Sequence, residues 1–259
     1  MNILTIGDVV GAPGCDFLRK HLPAFKRLKN IALCVANGEN SANGNGVTPA
    51  SAQSLFDSGV DVITTGNHVY SRSEIHAFLD EWSDIVRPAN YPAGNPGKGF
   101  TVFDMGRIRV GIVNLMGNSF ISENLENAFI CAERTLAEPE LADCRVILVD
   151  FHAEATGEKR AMGFFLDGKV SAVFGTHTHI LTADDQALPG GTGYITDIGM
   201  TGPKQSVLGV KSEIVISRFR TSMPARFELS DSECMMNGCI FEIDEKTGGT
   251  VSTERVWIE

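Results

Sequence analysis

The 259-residue sequence contains no apolar run near the ~18 residues that a membrane-spanning helix needs. Its first residues, MNILTIGDVVG, enter a short apolar stretch without the basic segment and longer apolar core of a secretion signal. Basic runs are missing too. Lys and Arg number 22 against 32 Asp and Glu, a net charge of −10, which argues against electrostatic capture of nucleic acid or an anionic membrane. Small phosphate compounds are not excluded, because a bound metal inverts the local field. The six cysteines, Cys15, Cys34, Cys131, Cys144, Cys234 and Cys239, include no Cys-x-x-Cys pair. That speaks against a zinc knuckle or a disulfide scaffold and for reduced thiols outside the chemistry. No repeat, low-complexity tract or Pro/Gly/Ser-rich linker interrupts the chain, so one domain over residues 1–259 is expected. Together these absences predict a soluble, cytoplasmic protein without a membrane partner or strong nucleic-acid binding; a homo-oligomer is compatible with them.

What is present is a strand and helix alternation. Asn2–Ile6, Ile31–Ala36, Val60–Thr64, Arg109–Asn114, Arg145–Phe151 and Ala172–Gly175 read as short β-rich runs. Between them Phe17–Leu28, Pro49–Asp57, Glu74–Trp82 and Leu125–Leu136 carry apolar residues at helical intervals, and Thr48 before Pro49 has the form of an N-cap and first helical position. The pattern predicts a layered α/β domain with a largely parallel component. After Gly190, Ser212–Arg220, Ala225–Leu229, Cys239–Asp244 and Thr250–Ile258 read as strands, which predicts antiparallel sheet and a second layer at that end.

The residues that follow the runs carry the chemistry. Gly7 is followed by Asp8, Gly38 by Glu39 and Asn40, and Gly66 by Asn67 and His68. Phe151 precedes His152, and Gly175-Thr176 leads into His177, Thr178 and His179. Open α/β sheets place ligands beyond the carboxyl ends of their strands, so these side chains could meet in one crevice. Singly, each has an ordinary explanation. Asp8 reads as a helix cap or turn residue, Asn67-His68 as a turn, and His152 as a satisfied core histidine. His177 and His179 are harder to dismiss: in an extended segment residues two apart share a face, which would project both imidazoles together. The glycines of Gly7-Asp8-Val9-Val10-Gly11-Ala12-Pro13-Gly14 do not have dinucleotide-loop spacing, and Asp8 would repel a pyrophosphate.

These motifs resemble those of the calcineurin-type metallophosphoesterases, and within them the YmdB-like branch. Nearly the whole chain fits, down to Arg87-Pro88-Ala89-Asn90-Tyr91. Val10 stands where the wider superfamily has its first histidine. Glu39-Asn40 replaces the aspartate motif, and Val69 replaces the acidic residue after Gly-Asn-His. The YmdB-like branch shares these departures. The resemblance implies an α/β fold of two sandwiched sheets flanked by helices (αββα) and a dinuclear metal centre at its edge. By that analogy Glu39 bridges the metals, with Asp8, Asn40 and His179 on the first and Asn67, His152 and His177 on the second. His68 is then the proton donor in phosphodiester hydrolysis, with 2′,3′-cyclic nucleotides as the typical substrates.

The chemistry of the residues agrees with that assignment. Oxygen and nitrogen donors without a thiolate suit two iron or manganese ions, or zinc. Two divalent ions, two carboxylates and a bridging hydroxide leave a small positive balance, fit for a small-molecule phosphodiester. A phosphomonoesterase, either a nucleotidase or a protein phosphatase, is the alternative enzyme. It would welcome a basic side chain such as Lys159 or Arg160, although this pair reads first as a solvated loop. A regulatory metal-binding protein with little turnover is the alternative of another class, and the candidate acid His68 argues against it.

Overall fold

The computed structural model describes residues 1–259. The chain forms β1 (Asn2–Ile6), β2 (Asp8–Val9), α1 (Gly11–Leu28), β3 (Ile31–Asn37), α2 (Pro49–Asp57), β4 (Val62–Thr64), α3 (Ile75–Glu81) and β5 (Ile85–Val86). It continues through β6 (Phe100–Asp104), β7 (Arg109–Met116), α4 (Ala128–Leu136), α5 (Pro139–Ala142), β8 (Val146–His152), α6 (Thr156–Phe165) and β9 (Ala172–Thr176). The last third holds β10 (Gln186–Ala187), β11 (Gly193–Ile195), β12 (Met200–Pro203), α7 (Ser212–Thr221), β13 (Cys234–Ile243) and β14 (Thr250–Ile258). No helix is long and apolar enough to cross a membrane.

Two sheets result. In the first, β1, β3, β4 and β5 run parallel in that order. On the other side of β1, residues 238–242 of β13 pair antiparallel with it, and residues 234–236 pair with β12. β14 lines the free edge of β13, and β2 closes the sheet beside β12. The second sheet runs β10-β11-β9-β8-β7-β6, parallel through its middle four strands and antiparallel at both edges.

Alternation along the strands assembles the layers. In β1, Ile3 faces the space between the sheets, while Leu4 and Ile6 face outward under α1. Leu33 and Val35 of β3 meet Val110, Ile112, Leu148 and Phe174 of the second sheet across the interior. Cys131 and Met162, from α4 and α6, cover the far face of the second sheet over Val149 and Phe151. Strands buried on both faces must be apolar on both, which is why their sequences are almost continuously hydrophobic.

Most expected elements are found. Asn2–Ile6 is β1, and Pro49–Asp57 is α2 with the Thr48 hydroxyl accepting from the Ser51 N–H. Val60–Thr64 starts late, at Val62, and Leu125–Leu136 becomes helical only at Ala128, where the Asn127 side chain accepts from two backbone N–H groups. The carboxyl-terminal third departs further. Ser212–Arg220 is the helix α7, not a strand: Glu213 lies in its first turn, Arg218 and Arg220 in its last, and only Val215 is buried. Alternating Ile and Val favour a strand only where a pleated neighbour takes them, and here the charges suit the helix dipole. Ala225–Leu229 forms no strand, with Leu229 alone bridging to Val210. Nor does this region build the second layer. β13 and β14 join the first sheet, because Cys239, Phe241 and Ile243 fill the interior beside β1. β6 through β11 make the other sheet, and the sequence reading had no strand at Phe100–Asp104 and no helix at Thr156–Phe165.

The second sheet packs closely enough to be tested at one atom. A Cβ on Gly175 in β9 would sit 1.8 Å from the Thr196 carbonyl oxygen and 3.0 Å from Lys159 Cδ. Gly175→Ala is therefore expected to destabilise the protein by about 3 kcal/mol, the upper range of core overpacking. The urea midpoint should fall at unchanged slope. An unshifted midpoint would contradict this packing.

Candidate metal centre

The site lies at the carboxyl edge of both sheets. Asp8 opens β2, directly after β1; Glu39 and Asn40 follow β3; Asn67 and His68 follow β4. His152 is the last residue of β8, and His177 and His179 follow β9. Asp8 is not a helix cap, since Val10 holds that position on α1. All eight candidate side chains meet in one place.

Glu39 stands at the centre of the group. Its Oε1 is 3.2 Å from His152 Nε2 and 3.6 Å from His68 Nδ1, and its Oε2 accepts from the His68 backbone N–H at 2.9 Å. On one side, Asp8 Oδ1 is 3.5 Å from His179 Nε2, and Asn40 Nδ2 lies 3.2 Å from the same nitrogen. On the other, His152 Nε2 lies 2.9 Å from Asn67 Oδ1 and 3.1 Å from His177 Nδ1. Glu39 Oε1 also accepts from Asn40 Nδ2 at 3.4 Å, so its carboxylate touches both groups. Gly66 makes room for this: a Cβ there would lie 2.3 Å from the His152 ring.

The histidine pair converges by a different route from the expected one. β9 ends at Thr176, and His177 and His179 have φ of 97° and 64°. Both therefore occupy left-handed backbone, which is unfavourable for such side chains and has to be held by the surroundings. They are brought together by a strained turn, not by strand alternation. The restraint comes from Asp197. Its Oδ2 accepts from the Thr178 N–H at 3.1 Å and the Thr178 hydroxyl at 2.7 Å. Lys159 Nζ donates to the same oxygen at 2.6 Å and to the Thr176 carbonyl at 2.7 Å.

Lys159 is consequently no part of a solvated loop, as the sequence suggested, but is 2% exposed in a buried ion pair. The guanidinium of Arg160 lies over the rings of Phe164 and Tyr194. Sequence reading also missed Glu154, whose carboxylate is 3.2 Å from His177 Nε2 and so orients Nδ1 inward. Its place two residues after His152 was the available signal. Nothing local marked Asp197, because the pairing joins residues 38 apart.

The charges are arranged as a metal would require. Asp8 and Glu39 are both buried, and the bases within reach are imidazoles, not Lys or Arg. Burial alone would raise the Asp8 carboxyl, yet His179 and His152 hold it far below the usual carboxylate range. Glu39 is likewise lowered, burial being outweighed by the charge and hydrogen bond of His152. Reciprocally, His152 is desolvated but is pushed up to about 9 by Glu39. His177, desolvated and repelled by His152, falls to about 4 and offers a neutral lone pair. His179 Nδ1 is buried without a hydrogen-bond partner. Carboxylates and imidazoles packed this closely fit divalent cations, and Glu39, His152 and His177 alone offer donor atoms all within 4.8 Å of one another. Asn40 fits with one adjustment. Its Nδ2 faces the carboxylates and its Oδ1 faces His68 Nδ1 at 2.8 Å, so ligation needs the amide turned over.

Comparison with known proteins places this edge in context. The model of the YmdB-like protein family matches residues 4–256. A 2′,3′-cyclic-nucleotide 2′-phosphodiesterase of Bacillus subtilis is 44% identical over 258 residues, covering 100% of this chain and 97% of the relative. The crystal structure of a novel phosphatase from Mycoplasma pneumoniae is similar at a TM-score of 0.94 and 34% identity, over 100% of this chain and 93% of that one. The calcineurin-like phosphoesterase YfkN from Bacillus subtilis is 11% identical, with a TM-score of 0.58 over 100% of this chain and 90% of its own. That last likeness shows the fold: the two-sheet, helix-flanked sandwich is calcineurin-like.

The ion pair that braces the histidine turn gives a direct test. Lys159→Met leaves Asp197 buried without its cation, a change that typically costs about 3–5 kcal/mol. Thermal unfolding should show that loss, and it should be larger than for the double variant Lys159→Met/Asp197→Leu. Equal stability of Lys159→Met and wild type would contradict the role given to the pair.

Proposed function

The chain belongs to the YmdB-like family, and from that premise and the geometry above we propose a metal-dependent phosphodiesterase acting on 2′,3′-cyclic nucleotides. One observation carries the reading: Asp8, Glu39, Asn40, Asn67, His152, His177 and His179 converge on shared buried carboxylates. In this reading Glu39 would serve both of two ion sites. Asp8, Asn40 and His179 would hold one ion, and Asn67, His152 and His177 would hold the other. Iron and manganese suit these donors, as does zinc. When bound, such ions lower the pKa of water and neutralise charge on the attacking and leaving oxygens.

The protein's own groups do the rest. Asp8 and Glu39 stay ionised, and burial keeps bulk water from screening them. His68 is partly exposed, so its ring is accessible from solvent. With the Asn40 amide turned to offer its oxygen inward, Asn40 Nδ2 donates to His68 Nδ1. The ring proton then resides on Nε2, where it can pass to the departing ribose oxygen. The engagement of Lys159 with Asp197 and of Arg160 with two aromatic rings favours a monoanionic diester over the dianionic phosphate of a monoesterase.

Glu39→Gln preserves shape and removes a central negative charge. Elemental analysis is expected to find most of the metal gone from a folded protein, with turnover of 2′,3′-cyclic nucleotides lost alongside. Wild-type metal content with retained turnover would contradict the bridging role.

His68 can be tested through the leaving group. A ribose alkoxide needs a proton, and a positioned acid contributes about 10²–10⁴-fold, whereas p-nitrophenolate leaves readily without one. His68→Ala should cripple cyclic-nucleotide hydrolysis, spare much of the bis-p-nitrophenyl phosphate activity and retain the metals. Equal losses on both substrates would remove His68 from the role of acid.

A further inference from the structure

We infer that Thr176 and Asp150 form a hydrogen-bond relay that keeps the ring proton of His152 on Nδ1 and so turns the Nε2 lone pair toward the metal centre. The inference rests on the proposed role of His152 as a ligand.

The register of the second sheet builds the relay. His152 and Asp150 are two apart on β8 and share a face, and Thr176 on β9 pairs directly opposite His152. His152 Nδ1 is 2.9 Å from Thr176 Oγ1, and Thr176 Oγ1 donates to Asp150 Oδ1 at 2.7 Å. A hydroxyl has one proton to give. Once that proton points to Asp150, Thr176 can only accept from the ring, so Nδ1 must carry hydrogen.

Asp150 is held as the final acceptor from the first sheet. The Thr64 hydroxyl and Asn37 Nδ2 both donate to its Oδ2. Asn37, Thr64, Asp150, His152 and Thr176 are all 0% exposed. Bulk solvent does not reach these groups, so each bond's direction depends on its protein neighbours.

The relay opposes a local preference. At the other ring nitrogen, Asn67 Oδ1 and Glu39 Oε1 are both acceptors within 3.2 Å of His152 Nε2. Left to themselves they would draw the proton to Nε2, the tautomer that cannot ligate. Thr176 and Asp150 are therefore positioning residues: they touch neither substrate nor metal and act through His152.

Substitutions separate this role from packing. Thr176→Val keeps volume and breaks the relay, while Thr176→Ser keeps the hydroxyl. At Asp150→Asn, either amide orientation sets an N–H against the Thr176 hydroxyl or against the Asn37 and Thr64 donors. The probe is zinc, titrated into metal-free protein, together with ¹⁵N NMR of labelled histidines in the zinc-loaded state. Spectra are recorded at about pH 8, above the ordinary carboxylate and imidazole ranges.

Wild type should show the His152 proton on Nδ1, identified by its loss in His152→Gln. Thr176→Val and Asp150→Asn should bind zinc about 10–100-fold more weakly, with Thr176→Ser near wild type. A His152 proton on Nε2 in the zinc-loaded protein would overturn the relay. So would wild-type zinc affinity in Thr176→Val, or a loss in Thr176→Ser equal to that in Thr176→Val. Full zinc stoichiometry in His152→Gln would instead refute the ligand role of His152 itself.

Discussion

Two carboxylates, those of Asp8 and Glu39, are buried together at the edge of the sandwich with only imidazoles for counter-charge. Placing such groups out of water is expensive unless charge and hydrogen bonds compensate. Much of the surrounding structure answers to that constraint. His152 is drawn toward the cationic form, and the backbone N–H groups of His68 and His177 point at the acids. Divalent cations would complete the compensation, which is why the donor set reads as a metal centre and not as a structural salt bridge.

The fold supplies positions that a single sheet could not. Asp8, Glu39 and Asn67 come from the carboxyl ends of the first sheet, and His152 and His177 from the second. A sandwich whose parallel strands end on the same side brings both rows of side chains into one crevice. The strain that this convergence requires is local. His177 and His179 sit in left-handed backbone, and the Lys159–Asp197 pair, buried behind them, restrains the turn through Thr176 and Thr178. Stability and function therefore meet in the same few residues.

The amino-terminal half of this architecture was legible as sequence, and its carboxyl-terminal third much less so. Strands such as β1 and β3 are buried on both faces and spell themselves out as apolar runs, so the residues that follow them could be named as a candidate site. Ser212–Thr221 has a β-like composition, but it pairs with no strand and its charges suit a helix. Strand β13 was recognisable, yet its partner was not, because pairing with β1 spans the whole chain. Distance in sequence explains the missed supports as well. Asp150 pairs with Thr64 and Asn37 across two sheets, and Lys159 reaches Asp197 beyond three intervening strands. Asp8, Glu39 and Asn67 each follow a glycine directly and stand out as candidates; the residues that hold the site in place look like ordinary core or surface residues until the fold is known.

The central claim is that one site holds two ions with Glu39 between them. Anomalous scattering from crystals of the protein, collected at the absorption edges of iron and manganese, addresses it most directly. The account predicts two peaks on either side of the Glu39 carboxylate, one beside Asp8 and His179 and the other beside His152 and His177. A single peak, or peaks that leave Glu39 outside both coordination spheres, would contradict it.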